Sequence, residues 1–172
     1  MDPVLLMGTP FLTAAFEFLF RRGEKLIDRR GPQDDELTLD PGDLTAIKGQ
    51  LRPLRVDEAE LIAVRPDLER IVGALSSFQR NPSRIDSEGE QLQYLLGELR
   101  ESLEWIYGQR ITFEGEQREA SGALVRGRFG TVAGEVTGIS AKRVRGNPRV
   151  DYDVEEVTRD GKVTGIRTED LR

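Results

Sequence analysis

The sequence predicts an α+β protein, with an N-terminal helical region of about four helices and a C-terminal β region. The β region is expected to be a small antiparallel barrel of SH3-like type or a curled, Gly-rich sheet. Two observations predict this class. Apolar residues recur at helical spacing before Gly108, whereas short β-branched runs follow it. Nine of the 18 glycines also lie in the last 62 of the 172 residues.

The chain divides into four predicted segments, and the composition shift near Gly108 marks the start of the last one. An apolar N-terminal helix, for docking or for a membrane surface, occupies residues 1–30. An acidic linker with a short helix covers 31–56, a helical domain 57–109 and a Gly-rich β domain 110–172. The net charge of −6 belongs wholly to residues 1–110, because residues 111–172 hold 11 acidic and 11 basic groups.

The strongest helix signal covers residues 88–107. Ser87 and Glu90 form a capping box before it, and Gly108 stands where a left-handed C-cap is expected. Its apolar residues recur at steps of three and four, which is one face of a helix. They are Leu92, Leu95, Leu96, Leu99, Leu103 and Ile106.

Two shorter helices are predicted before it, separated at Pro66. Asp57 and Glu60 form a second capping box, and Pro66 disfavours helix at the preceding residue, so a new helix is expected over residues 66–79. A further short helix is predicted over 43–51. The inward side chains of the helix 66–79 are expected to be Leu68, Ile71, Val72, Leu75 and Phe78.

The N-terminal helix is unusually apolar, since residues 11–20 carry four of the seven phenylalanines and one charge, Glu17. Such a helix is buried or lies in lipid, but it is short for a membrane span of about 20 residues. Three alternatives stay open: packing on neighbours or a partner subunit, a membrane-surface anchor with arginines on phosphates, and a tilted span. The predicted partner or membrane contacts are Phe11, Phe16, Phe18, Phe20, Arg21 and Arg22.

Five strands are predicted, over residues 110–113, 123–129, 131–144, 150–157 and 162–166. Asp160-Gly161 is a strong signal for a two-residue hairpin. Glycines inside strands mark bulges, barrel corners or close backbone approach. A stack of short rungs, in which glycine permits tight turns and flat packing, is the alternative to a barrel.

A basic cluster in the β region is a candidate contact for nucleic acid or an acidic partner, because such a stripe can follow a phosphate backbone. An overall pI near 4.9 weakens the nucleic-acid hypothesis. The stripe can equally pair with acids of its own β region or of a neighbouring copy. Its members are Arg126, Arg128, Lys142, Arg143, Arg145 and Arg149.

Composition argues against an enzyme. The chain has no His and no Cys, which excludes Ser-His-Asp and Cys-His nucleophiles, Cys/His zinc sites and iron–sulfur ligation. Asp151, Asp153 and Glu155 alternate on one predicted strand, and we expect them to face water rather than bind a metal. No cofactor is expected. The lack of Cys and of a secretory signal favours a cytoplasmic protein, with membrane association left open.

The chain resembles small non-enzymatic accessory proteins of bacterial multi-gene signalling or conflict systems. The layout carries the resemblance: FLFRRGEKLIDRR, then a helical middle, the join LRESLEWIYGQRITFEGE, and a tail ending KVTGIRTEDL. The resemblance implies an adaptor or assembly component. We therefore expect a non-catalytic protein that binds protein partners or itself as a homo- or hetero-oligomer, with a nucleic-acid-binding module as the alternative.

Overall fold

A computed structural model describes residues 9–30, 39, 41–84, 89–144 and 148–171, and it confirms a mixed α+β architecture. Its described residues before Gly108 include three long helices and one short one. The helices are α1 (Thr9–Asp28), α2 (Pro41–Ala46), α3 (Glu58–Arg80) and α4 (Gly89–Tyr107). In the predicted linker segment 31–56, residues 31–38 and 40 lie outside the described residues, and the remainder contains α2.

One hydrophobic core joins α1, α3 and α4, which we call the helical body. Gly23 marks the closest approach, since a Cβ there would lie 2.7 Å from Val72 Cγ2 on α3 and 3.3 Å from Leu99 Cδ1 on α4. Ile111 and Phe113, which follow α4, are buried in the same core. The helical body therefore includes the first residues of the predicted β domain.

The prediction that Pro66 separates two helices is wrong, because α3 runs unbroken through it. Pro66 cannot donate to the carbonyl of Ile62. Both residues lie on the exposed side of α3, so the lost hydrogen bond is away from the core. The cap at Asp57 is confirmed: its carboxylate accepts from the backbone N–H groups of Ala59 and Glu60 at 3.0 and 3.2 Å. The predicted inward residues of the helix 66–79 are all buried.

The predicted apolar face of α4 is confirmed, because its six expected residues are buried. Gly108 has φ +58°, so it ends the helix in the left-handed conformation that glycine adopts without a Cβ penalty. Ser87, the expected capping residue, lies outside the described residues. The predicted helix 43–51 is shorter and begins earlier, as α2.

Five strands follow, but their pairing is not that of the expected antiparallel barrel. They are β1 (Gln109–Arg110), β2 (Gly122–Val132), β3 (Glu135–Val144), β4 (Arg149–Val157) and β5 (Lys162–Leu171). A short antiparallel ladder joins β1 to β2, whereas β2 pairs with β4 and β3 with β5 in parallel. The two sheets have the orders β1-β2-β4 and β3-β5.

The pairing corresponds to stacked rungs, the alternative to a barrel. We call β2 with β3 the first rung, β4 with β5 the second rung, and both together the β unit. The turns stack as well: Thr158 N donates to Val132 O at 2.9 Å, and Lys162 N donates to Gly134 O at 2.8 Å. The Asp160-Gly161 hairpin prediction is wrong, because β4 and β5 belong to different sheets. A Cβ on Gly161 would lie 2.1 Å from Val132 O, so glycine is required here for turn stacking.

The rungs also contain a sequence repeat. Residues 136–139 and 163–166 both read VTGI, and the β3–β5 register sets Val136 opposite Val163 and Ile139 opposite Ile166. The register offset is 25 residues for β2–β4 and 27 for β3–β5, because the second turn is two residues longer. The second rung therefore repeats the strand–turn–strand layout of the first, with VTGI in the same position.

Candidate interaction site

A buried group of charges holds the β unit on the helical body, and we call it the junction cluster: Arg100, Glu104, Glu116, Arg118 and Arg126. Arg100 on α4 forms an ion pair with Glu116, and only 3% of each side chain is exposed. The other Glu116 oxygen accepts from the backbone N–H of Phe113 at 2.7 Å. Both carboxylate oxygens are thus satisfied, as a buried charge requires.

Glu104 is the second carboxylate of the junction cluster. Its Oε1 accepts from the backbone N–H of Ile111 at 2.9 Å and from Arg118 at 3.2 Å, while its Oε2 accepts from Arg126 at 3.3 Å. The Arg126 guanidinium also lies 5.2 Å from the ring centroid of Trp105. Since Arg126 lies on β2, these contacts attach the first rung to α4.

Burial sets the ionisation of groups in and near the junction cluster. Desolvation lowers the pKa of Arg100, and the neighbouring Glu116 charge opposes that shift. On the same helix, burial raises the pKa of Tyr107 to about 12. The paired carboxylates of Glu104 and Glu116 therefore act as structural contacts between α4 and the residues that follow it.

A cleft of ≈ 170 Å³ opens beside the junction cluster, between the start of α3, the end of α4 and β2. Asp57, Glu60 and Glu104 line it together with Trp105 and Arg126. This volume is below the about 300–1,000 Å³ of typical small-molecule sites. The cleft has room for a single side chain.

The structure places most of the predicted basic cluster opposite acids of the second rung. Arg126 and Arg149 both form ion pairs with Asp151. The hydrogen bond that Arg149 donates to Asp151 raises the pKa of Arg149. In the β2–β4 register Arg128 lies opposite Asp153. In the β3–β5 register Lys142 lies opposite Glu169 and Arg143 opposite Asp170. Arg145 falls outside the described residues.

The three alternating acids of β4 have different surroundings. Asp151 contacts two arginines, whereas Asp153 and Glu155 are exposed and Val150, Tyr152 and Val154 are partly buried. Within the described ranges, no group of three or more Asp or Glu residues has the arrangement of a metal site.

Most of the predicted contact residues of the N-terminal helix are turned into the protein. Phe16, Phe18 and Phe20 are buried in the core, whereas Phe11 is 42% exposed. The helix is thus packed on its own neighbours, the first of the three alternatives. Among the residues that the structure describes, no helix is long and apolar enough to cross a membrane.

Arg21 and Arg22 of that helix contact an acidic side chain of the protein itself, whereas the membrane-anchor alternative placed them on lipid phosphates. Arg21 and Arg22 contact the two carboxylate oxygens of buried Asp43 at 2.5 and 3.3 Å. These contacts tie α1 to α2. They satisfy a carboxylate that would otherwise be buried without a counter-charge.

The outer edge of the second rung is a candidate interaction surface. Over the described parts of the chain, β4 pairs only with β2 and β5 only with β3, so their other edges carry no strand. Val157 and Val163 on these strands are 48% and 36% exposed. An edge of this kind is a template for adding another strand.

Comparisons with protein-family models, curated proteins and solved structures give no match. The case for function therefore depends on the geometry. Sequence reasoning missed Arg100, Glu104 and Glu116. One signal was available for two of them: Leu96, Arg100 and Glu104 follow one another at four-residue steps, so both charges stand beside the apolar face of α4.

Proposed function

We propose that the protein is a non-catalytic assembly protein or adaptor, with the β unit as its binding surface and the helical body as its support. One observation carries the proposal: the second rung ends in two strand edges that pair with no other described strand. Parallel strands are normally buried on both faces, and sheets of two strands are marginal in water. A further strand layer supplied by a partner would complete the unit.

The form of the helical body agrees with a supporting role. Phe16, Phe18 and Phe20 are buried, the Arg22–Asp43 and Arg100–Glu116 charges are paired, and the cleft beside the junction cluster is small. Peripheral membrane attachment through α1 is less well supported, because Phe16, Phe18 and Phe20 would have to leave the core.

The nucleic-acid alternative also has less support than protein binding. Its basic residues lie opposite Asp151, Asp153 and Glu169, whose charges reduce the attraction for phosphate. Nucleic-acid binding would have to remove these acids from the basic side chains.

The proposal is tested by affinity capture from the native host with the full-length chain as bait. The edge variant carries Val157→Lys and Val163→Lys, which place charges on the open edge. The control is Ile62→Lys, which replaces a 72% exposed residue on α3. We expect the wild type and the control to retain the same proteins and the edge variant to lose them. Identical sets from all three baits would contradict a binding role for this edge.

A further inference from the structure

We infer that the β unit binds a second copy of this chain head to tail, with the second rung of one copy stacked on the first rung of the next. The inference rests on the proposed function, since it names the partner of the same edge. It follows from three features of the β unit: the repeat, the two open ends and the division of charge between the rungs.

The repeat makes the two ends compatible. The second rung already stacks on the first in parallel register, with VTGI on VTGI. The first rung of another copy also carries VTGI at this position. It can therefore continue the ladder beyond β4 and β5. The contact would repeat backbone pairing that the chain already makes within itself.

The first rung has an accessible outer edge to receive it. β1 covers only the start of β2, where Gln109 pairs with Ala123 and Arg110 with Gly122, and Leu124 N donates to Gly108 O at 2.9 Å. Beyond that point, none of the described segments pairs with the outer edge of β2 or of β3.

Charge selects the head-to-tail arrangement over a symmetric one. The first rung holds four basic side chains and one acidic, a net of +3, and the second holds three basic and six acidic, a net of −3. Stacking second rung on first rung sets Asp153 beside Arg128 and Glu169 beside Lys142 of the next copy. All four side chains are exposed. Two second rungs would instead place acids beside acids, which is unfavourable across paired strands.

Such a contact joins two different surfaces, so each added copy exposes a new edge. Heterologous contacts of this kind give rings or open chains rather than closed two-fold dimers. Two features are therefore expected: growth of the assembly with protein concentration, and weakening of the assembly as salt screens the rung charges.

The first experiment is sedimentation velocity on the full-length wild type, with a monomer mass of 19.3 kDa. We expect the weight-average mass to rise at least about twofold over a hundredfold rise in concentration, as successive addition requires. The edge variant Val157→Lys/Val163→Lys should remain a monomer under these conditions, and Ile62→Lys should behave as the wild type. A wild type that stays monomeric throughout, or an edge variant that assembles equally, overturns the inference.

The second experiment exchanges the charges of the two rungs. The swapped variant carries Arg128→Asp, Asp153→Arg, Lys142→Glu and Glu169→Lys, which keeps the internal pairs and the chain's net charge of −6 while reversing the sign of each rung. We expect it to assemble with itself as the wild type does. Tagged wild type should capture untagged wild type and should fail to capture the swapped variant.

A symmetric contact gives the opposite result, because the acidic second rung of the wild type would then attract the basic second rung of the variant. Preferential capture of the swapped chain therefore overturns the head-to-tail arrangement. Absence of self-association, together with host proteins that the edge variant fails to capture, overturns this inference and leaves the proposed function standing. Failure in both experiments removes both.

Discussion

The helical body and the β unit stabilise themselves in different ways. The helical body buries whole apolar faces of α1, α3 and α4 around one core. Among the apolar side chains that the structure describes on the four long strands of the β unit, only Leu124 and Val132 are buried. Burial of apolar surface is the main favourable term in folding, so the helical body can fold by itself. The β unit depends on strand stacking, on the junction cluster and, in our proposal, on a partner.

The largest expected effect comes from breaking the buried ion pair of the junction cluster, which fixes the segment after Phe113 on α4. Glu116→Ala leaves Arg100 buried without its carboxylate and should lower the free energy of unfolding by about 3–5 kcal/mol, measured by urea denaturation. The double variant Arg100→Met/Glu116→Leu removes both charges and should recover most of that loss. If the double variant is as unstable as the single one, the pair is not what stabilises the junction.

The next effect separates the β unit from the helical body. Gly161→Ala forces a Cβ against Val132 O and should cost about 1–3 kcal/mol of local stability, as overpacking does. Amides of β4 and β5 should exchange with deuterium faster, while those of α3 and α4 keep their protection. Gly134→Ala is the matched control in the other turn, because its Cβ would meet no atom within 4 Å. Equal exchange in the two variants would contradict stacked turns.

A smaller effect is expected where the first rung meets α4. Arg126→Met removes a hydrogen-bond donor to Glu104 and the cation over the Trp105 ring. We expect the free energy of unfolding to fall by about 1–2 kcal/mol. Trp105 is the only tryptophan, so its emission spectrum reports on this junction directly. Arg128→Met, two residues along the same strand and exposed, should leave the spectrum unchanged. The hypothesis fails if the two variants shift the emission alike.

The smallest effect is a pH dependence confined to the β unit. Glu135 on the first rung accepts a hydrogen bond from Arg167 on the second, and this bond and the nearby Lys162 charge lower the pKa of Glu135 below its ordinary 4.5. A lowered folded-state pKa stabilises the rungs above the ordinary value, and the contribution disappears as pH falls through the lowered value. The exchange rate of β5 amides relative to their intrinsic rate at the same pH should therefore rise in the wild type as pH falls below the ordinary 4.5. In Glu135→Gln this relative rate should already be higher at neutral pH and should change less as pH falls.

The difference between the helical body and the β unit also explains which features could be predicted from the sequence. The α4 face was predictable because six apolar residues follow a 3.6-residue period that only a helix satisfies. Strand positions were predictable from composition, but their partners were not. Alternation along one strand is the same for parallel and antiparallel pairing, and the Asp160-Gly161 signal suits a hairpin as well as a stacked turn. The repeated VTGI was the available sign of parallel register.

The Pro66 error and the buried charges have a different origin. Whether a proline interrupts a helix depends on where the freed carbonyl points, and that is fixed by which face of α3 meets α1 and α4. Similarly, nothing local distinguishes Arg100 from a surface arginine until Glu116, 16 residues later, folds back onto it. Both features depend on tertiary contacts.

The two turns of the β unit differ in length, which indicates where insertions and deletions can be tolerated. One rung turns through residues 133–134 and the other through 158–161, yet both strand pairs stay in register. Length variation is thus absorbed at the turns without disturbing the ladders. A further in-frame copy of residues 145–171, which includes the connection between rungs, would therefore lengthen the stack by one layer.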